Sequence, residues 1–259
     1  MRNIIKIAYS IIFLLAGTLQ TNSAEKVDFL KTDWSFKGLT GKFDRGSLQR
    51  GYQVYTEVCA SCHSMKYLSY RNLAEKGGPE FSIEQVKAIA ASFEVTDGPN
   101  SDGEMFERPA KLSDKFVKPY ENVKAAQAAN GGAYPPDMSV LAKARSGGVD
   151  YIYSVLLGYE DPPSGVTLDD GVYYNKYMYG NNIKMAQPLS DGLVEYTDGT
   201  IASEEQMAKD VSTFLMWAAE PHLEARHKMG FKAILYLIIL TILVYFSMKK
   251  IWSRIETEV

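Results

Sequence analysis

Four stretches of the chain carry a readable pattern of apolar and polar positions, and turns fill most of the rest. Near the start, Arg2 and Lys6 precede an apolar run from Ile7 to Ala16, and "GTLQTNSA" then closes on the small residues Ser23 and Ala24. A charged lead, a short apolar run and a small-residue exit predict a secretory signal peptide over residues 1–24, cleaved after about Ala24. The run is too short to cross a bilayer, which takes about 20 residues. Near the end, "MGFKAILYLIILTILVYFSMKK" has no charge from Ala233 to Met248 and is apolar on every side. A buried helix would show one apolar face, so this pattern predicts a transmembrane helix over residues 229–248, with Lys232 able to snorkel toward the interface.

Basic residues flank that span on both sides (Arg226, Lys228 and Lys232 before it, Lys249, Lys250 and Arg254 after it), so charge alone leaves the orientation open. The signal peptide decides it. Residues 25–228 form an exported domain on the periplasmic side, and residues 249–259 a cytoplasmic tail of a single-pass protein of the cell membrane.

The other two patterned stretches lie in the exported domain. In "SLQRGYQVYTEVC", Leu48, Tyr52, Tyr55 and Cys59 recur at helical spacing, with Gly51 offering a point where another helix can approach closely. In "SEEQMAKDVSTFLMWAAEP", Ser203 and Gln206 occupy capping-box positions. Met207, Val211, Phe214, Leu215 and Ala218 then share one apolar face, and Pro221 marks the end. Between them the chain reads as loop: "EVTDGPNSDGEMFERP" holds five acids and no base before Arg108, and "GGAYPPDMS" and "GYEDPPSGVTLDDG" are turn-forming. No repeat or low-complexity tract appears. The pattern predicts a mainly α domain with long loops and one C-terminal membrane helix.

Composition adds little until it is divided by segment. The chain is 46% hydrophobic and 23% charged, as an ordinary globular protein is, with a net charge of −3. Residues 25–225, however, carry 20 Lys and Arg against 29 Asp and Glu, a net −9. A negative exported domain favours basic partners and excludes a nucleic-acid-binding footprint.

The chemistry concentrates in "EVCASCHSMKY". Cys59 and Cys62 are the only cysteines in 259 residues, and His63 follows the second directly. Four readings compete: a small disulfide, a thioredoxin-type redox pair, half of a zinc site completed by His222 and His227, and the C-x-x-C-H attachment sequence of c-type haem. The β-α-β context of the redox pair is missing. The histidine pair sits about 160 residues away beside the membrane span, far beyond the usual ligand spacing of structural zinc, and reads as an interfacial, solvated pair. The haem reading uses every residue of the motif: two thiols on one helical turn form thioethers at one porphyrin edge, and the adjoining imidazole is the proximal iron ligand. A distal methionine thioether would suit electron transfer. Met65 is too close to His63 to reach the opposite face, and Met207 and Met216 read as packing. Met105, Met138, Met178 and Met185 stay open on the residues alone.

Over nearly all of the mature length the chain also resembles the cytochrome c1 family, the haem c subunits of ubiquinol–cytochrome c reductase (complex III), in its bacterial form. The resemblance rests on "CASCHSM", "YRNLA", "DGPNSDGEMFERPAKLSDKF", "AANGGAYPPDMS", "ARSGGVDYIYSVLLGYEDPPSGV", "KMAQPL" and "DVSTFLMWAAEP", in that order and followed by one anchor. It implies a class I cytochrome c-like haem domain with long loop insertions and one covalent haem c. Cys59 and Cys62 are then the attachments, His63 and Met185 the axial ligands, and Arg145, Tyr151 and Asn130 the neighbours of the haem propionates. Gln187 departs from the proline more usual after the ligand, which bears only on loop rigidity. The implied role is electron relay, not bond-making catalysis: an electron comes from the Rieske iron–sulfur subunit and passes to cytochrome c, with a cytochrome b subunit and membrane lipid as further partners. The nearest rival is a stand-alone membrane-anchored c-type carrier. A haem sensor or peroxidase with an open sixth position, and a zinc or disulfide module, stand behind it.

Overall fold

The computed structural model describes residues 27–255, so the signal-peptide segment 1–24 and the last residues of the 249–259 tail lie outside the described residues. An irregular segment from Val27 leads to α1 (Arg45–Glu57), a 3-10 turn (Cys59–Ser61), a second 3-10 turn (Tyr70–Ala74) and α2 (Ile83–Ala91). A hairpin of β1 (Glu94–Asp97) and β2 (Phe106–Pro109) follows, then α3 (Val123–Ala129), α4 (Leu141–Ala144) and α5 (Val149–Leu157). A two-residue pair, β3 (Tyr173–Tyr174) with β4 (Asn182–Ile183), precedes α6 (Glu204–Ala219) and α7 (Leu223–Ile255). The fold is mainly α, as the pattern requires.

The core is organised by the crossing of α1 and α6. Both expected stripes are buried: Leu48, Tyr52, Tyr55 and Cys59 from one side, Met207, Val211, Phe214, Leu215 and Ala218 from the other. They meet at Gly51, where a Cβ would lie 2.1 Å from the Asp210 carbonyl oxygen and 2.7 Å from Phe214 Cβ, so only glycine admits the approach. Tyr52 and Tyr55 pack their rings on Phe214 at centroid distances of 5.7 and 5.8 Å. Beside the crossing, the fully buried Asp210 accepts hydrogen bonds from Arg50 Nε at 2.8 Å, Arg50 Nη2 at 3.2 Å, Ser47 Oγ at 2.6 Å and Gln206 Nε2 at 2.9 Å. Burial opposes the Arg50 charge, but Asp210 and Asp198 outweigh it and raise its pKa above the usual guanidinium value.

Three details differ from the sequence pattern. Ser203 caps α6 through its hydroxyl, which accepts from Gln206 N–H at 3.2 Å, but Gln206 turns its side chain to Asp210, so half of the capping box forms. The acidic loop folds as the β1–β2 hairpin, pairing Glu94 with Pro109 and Asp97 with Phe106. There Arg108 is shared by Asp97 and Asp114, so the stretch is less purely acidic than its composition. Of the histidine pair, His222 is exposed, while His227 is half-buried with Nδ1 3.2 Å from the Gly41 carbonyl.

Among the described residues, one helix is long and apolar enough to cross a membrane. α7 has 33 residues, about 50 Å at 1.5 Å per residue, which exceeds a hydrocarbon core of about 30 Å. Its first turn is embedded in the domain. Glu224 is buried and accepts from Arg45 Nη1 at 2.8 Å, Arg45 Nη2 at 3.0 Å and Phe43 N–H at 3.0 Å, a bidentate charge-assisted pair with one backbone bond added. Glu220, just before it, pairs with Lys143 and Arg226.

Candidate functional site

α1 ends at Glu57, and the chain tightens into the 3-10 turn that presents the cysteines. The Cys59 carbonyl accepts from Cys62 N–H at 3.1 Å and His63 N–H at 2.9 Å, which folds the three side chains onto one turn. Both thiols are free; Cys59 is buried and Cys62 half-buried. Burial, with Cys62 nearby, pushes the Cys59 thiol up to about 12.

His63 is 8% exposed, and its Nδ1 lies 2.9 Å from the Pro136 carbonyl oxygen. A carbonyl only accepts, so Nδ1 carries the proton and Nε2 keeps the free lone pair, the arrangement in which an outer partner orients a ligating imidazole. Burial lowers the His63 pKa below the ordinary value, outweighing the Pro136 bond that raises it.

The Pro136 carbonyl is itself held in place. Asp137 accepts from Ser64 Oγ at 2.8 Å and Lys66 N–H at 3.0 Å through one carboxylate oxygen, and from Ser139 N–H at 3.0 Å through the other. Met138 N–H donates to the Ser64 carbonyl at 2.8 Å, and Tyr67 N–H to Ser139 Oγ at 3.1 Å. Burial would raise the Asp137 carboxyl, but these bonds hold it below the usual carboxylate range. "GGAYPPDMS" therefore braces the segment after His63. Its turn composition gave no sign of this, because the group that touches His63 is a backbone carbonyl.

Contacts link the Asn130 loop to the Met185 loop, while Tyr151 has Arg145 as a neighbour. Tyr120 Oη lies 4.0 Å from Cys62 Sγ and receives a hydrogen bond from Asn130 Nδ2 at 3.1 Å. The next residue, Gly131, accepts from Lys184 Nζ at 3.2 Å, which ties the Met185 loop to the Asn130 loop. Met185 is half-buried against the core, and its carbonyl accepts from Tyr159 Oη at 3.0 Å. Tyr151 is 8% exposed, donates to Met178 Sδ at 3.4 Å and stacks on Tyr179. Burial raises its pKa, and the neighbouring Arg145 opposes the rise. Arg145 itself is exposed at the end of α4. Of the other methionines, Met105 is 60% exposed beside the hairpin, Met138 and Met207 are buried, and Met65 is sealed in the core. Tyr120, Pro136, Asp137, Tyr159 and Lys184 were not singled out by motif or spacing.

Free thiols, a buried imidazole beside them and a methionine-bearing loop tied to the Asn130 loop fit a covalently held haem. Among the described residues no group of three or more His, Cys, Asp or Glu side chains is placed to hold a metal ion.

Comparison with known proteins points the same way. The model of the Cytochrome C1 family matches residues 34–255. The chain is 52% identical over 239 residues to "Cytochrome b/c1" of Bradyrhizobium diazoefficiens, a match covering 85% of this chain but 35% of that longer protein. It is 50% identical over 225 residues to "Cytochrome c1-2, heme protein, mitochondrial" of Solanum tuberosum, covering 87% of this chain and 85% of the relative. With "Cytochrome c1" of Rhodospirillum rubrum it shares 42% identity over 266 residues, covering 96% of both.

Proposed function

The chain belongs to the cytochrome c1 family, and from that premise we propose that it is the electron-transfer subunit of a ubiquinol–cytochrome c reductase complex. It takes one electron from a Rieske iron–sulfur subunit and passes it to a cytochrome c, making and breaking no substrate bond itself. The observation that carries the reading is the buried His63, its Nδ1 held by the Pro136 carbonyl, next to two free thiols and with no other cysteine in the chain.

Family members carry one covalent haem c, which supplies a one-electron iron couple whose potential a thioether ligand raises. In this chain Cys59 and Cys62 would hold the group, and His63 and Met185 would provide the donors to its iron. Pro136 and Asp137 keep the imidazole in one tautomer and one orientation. Tyr159 and Lys184 fasten the Met185 loop at its backbone and at its neighbour. Arg145 would pair with the haem propionates, for which a guanidinium is the best-matched donor, and Tyr151 and Asn130 would donate hydrogen bonds to them. The net −9 of residues 25–225 steers a basic cytochrome c toward the domain and speeds encounter.

Residues 25–228 face the periplasm, residues 229–248 cross the cell membrane beside a cytochrome b subunit, and residues 249–259 lie in the cytoplasm. The test is a visible difference spectrum of the assembly captured from detergent-solubilised membranes through a tag on this chain. Haem c together with haem b is expected. Haem c alone, under conditions that keep complexes intact, would replace this reading with the solitary anchored carrier.

A further inference from the structure

A small closed loop sits where α7 leaves the domain. Lys37 N–H donates to the Trp34 carbonyl at 3.0 Å, Lys42 N–H to Ser35 at 3.0 Å and Gly41 N–H to Gly38 at 3.3 Å, so residues 35–42 turn back on themselves with Gly38 to Thr40 at the tip. The turn is tight: Gly38 has φ +87°, and a Cβ on Gly41 would lie 2.3 Å from the Phe36 carbonyl oxygen. At the tip stands Leu39, 91% exposed, the highest value for any large apolar residue among those described. Phe36 and Phe43, on either side, are in the core.

A lone exposed leucine is ordinary on a soluble surface. The position of this one is not. Two bonds tie the loop to α7 in order: Phe43 N–H to the Glu224 side chain at 3.0 Å, and the Gly41 carbonyl to the His227 ring at 3.2 Å. Moving two residues back along the chain, from 43 to 41, thus moves three residues forward along α7, about 4.5 Å toward the apolar span at 1.5 Å per residue. Both helix side chains lean the same way, toward the helix N-terminus, so the offset between them is kept. Leu39 stands beyond Gly41, at the tip of the same turn. Past His227, α7 presents Met229 at 66% and Phe231 at 73% exposure, and its uncharged stretch begins at Ala233. Lys42, at the loop's other shoulder, is exposed and long enough to leave its ammonium at the level of lipid phosphates.

We propose that loop 38–42 is a second membrane contact: Leu39 enters the acyl boundary of the outer lipid leaflet beside α7, and Lys42 meets the phosphate layer above it. The partner is a phospholipid surface. With α7 it gives the domain two points of attachment, which fix its rotation over the membrane as well as its height.

This rests on α7 crossing the bilayer, and the experiment separates the two. Because haem attachment uses Cys59 and Cys62, Leu39→Cys creates a unique thiol for a spin label, as do Ile238→Cys and Asp102→Cys as references. The full-length haem-loaded chain is placed in phosphatidylcholine–phosphatidylglycerol vesicles, and label collisions with oxygen and with a water-soluble nickel chelate are measured. At Leu39, as at Ile238, oxygen collisions should rise and nickel collisions fall several-fold relative to Asp102. A water-like pattern at Leu39 with a lipid-like pattern at Ile238 overturns the loop contact alone. A water-like pattern at Ile238 removes the spanning reading and the loop contact with it. In the intact complex, p-benzoylphenylalanine at position 39 should photo-crosslink to phospholipid; a crosslink to another subunit instead would show that protein covers the loop, and would overturn the proposal.

Discussion

Replacing Gly51 with alanine tests whether the α1–α6 crossing positions the attachment turn. By helix propensity the change should help, because glycine in a helix interior costs about 0.5–1 kcal/mol relative to alanine. The structure predicts the opposite sign. The new Cβ would sit 2.1 Å from the Asp210 carbonyl oxygen and 2.7 Å from the carbon behind it, both backbone atoms. Ordinary contact begins near 3.4 Å, so the helices must part by roughly 1 Å, the kind of overpacking that costs about 1–3 kcal/mol. Parting also stretches the Arg50 and Ser47 bonds to the buried Asp210, now between 2.6 and 3.2 Å, and weakening a buried charge pair adds to the loss. The net expectation is a destabilisation of about 2 kcal/mol or more, which for a domain of this size lowers the thermal midpoint by about 4–8 °C. The assay is thermal unfolding of the haem-loaded chain in detergent, followed by far-ultraviolet circular dichroism. An unchanged or raised midpoint would refute the close-approach argument.

Met185→Leu should lower the haem potential sharply and let carbon monoxide bind the ferrous protein; a redox titration showing the parent's potential would move the distal role to another methionine. Neutralising Asp102, Glu104 and Glu107 together should slow cytochrome c reduction at low ionic strength. The difference should shrink as salt near 0.1 M shortens the screening length to about 10 Å, and unchanged stopped-flow rates at low salt would remove the hairpin from the docking face. Asp150 is desolvated by burial, but hydrogen bonds from Trp34, Lys31 and Lys37 more than compensate and hold its carboxyl below the usual range. A depressed folded-state pKa stabilises above the unfolded value of about 3.9, and that stability is lost as pH falls through the folded value. Asp150→Asn should therefore flatten the decline of the unfolding midpoint below about pH 4; an identical slope in both proteins would contradict the assignment.

What could be read from the sequence was local or periodic. The stripes on α1 and α6 and the close approach at Gly51 follow from 3.6-residue spacing, and the membrane helix from an unbroken apolar run. Cys59, Cys62 and His63 are legible because their chemistry is contiguous. Asn130, Arg145, Tyr151 and Met185 are spread over 55 positions, and only the family resemblance joined them, since spacing does not reveal which loops meet. The β1–β2 hairpin escaped notice because its strands have four residues each and Val95 is the one apolar side chain they pack against the core, too little alternation to read. Pro136 acts through its carbonyl, which has no side-chain signature, and Asp137 matters through backbone N–H groups 71 and 2 residues away. Gln206 was placed correctly and misdirected, because a buried carboxylate one turn on outbids the helix terminus.

The clamp between Arg45 and Glu224 has a mechanical meaning. Arg45 is the first residue of α1, and Cys59 follows two positions after its last, so one straight strut of 13 residues, about 20 Å, joins the root of the membrane anchor to the attachment turn. A strut transmits orientation as well as distance. A haem held at Cys59 and Cys62 would then keep one place relative to the root of α7, with no flexible linker between them. On the proposed function, the movement of the relay would fall to the donor and the acceptor, with this chain as the fixed station between them.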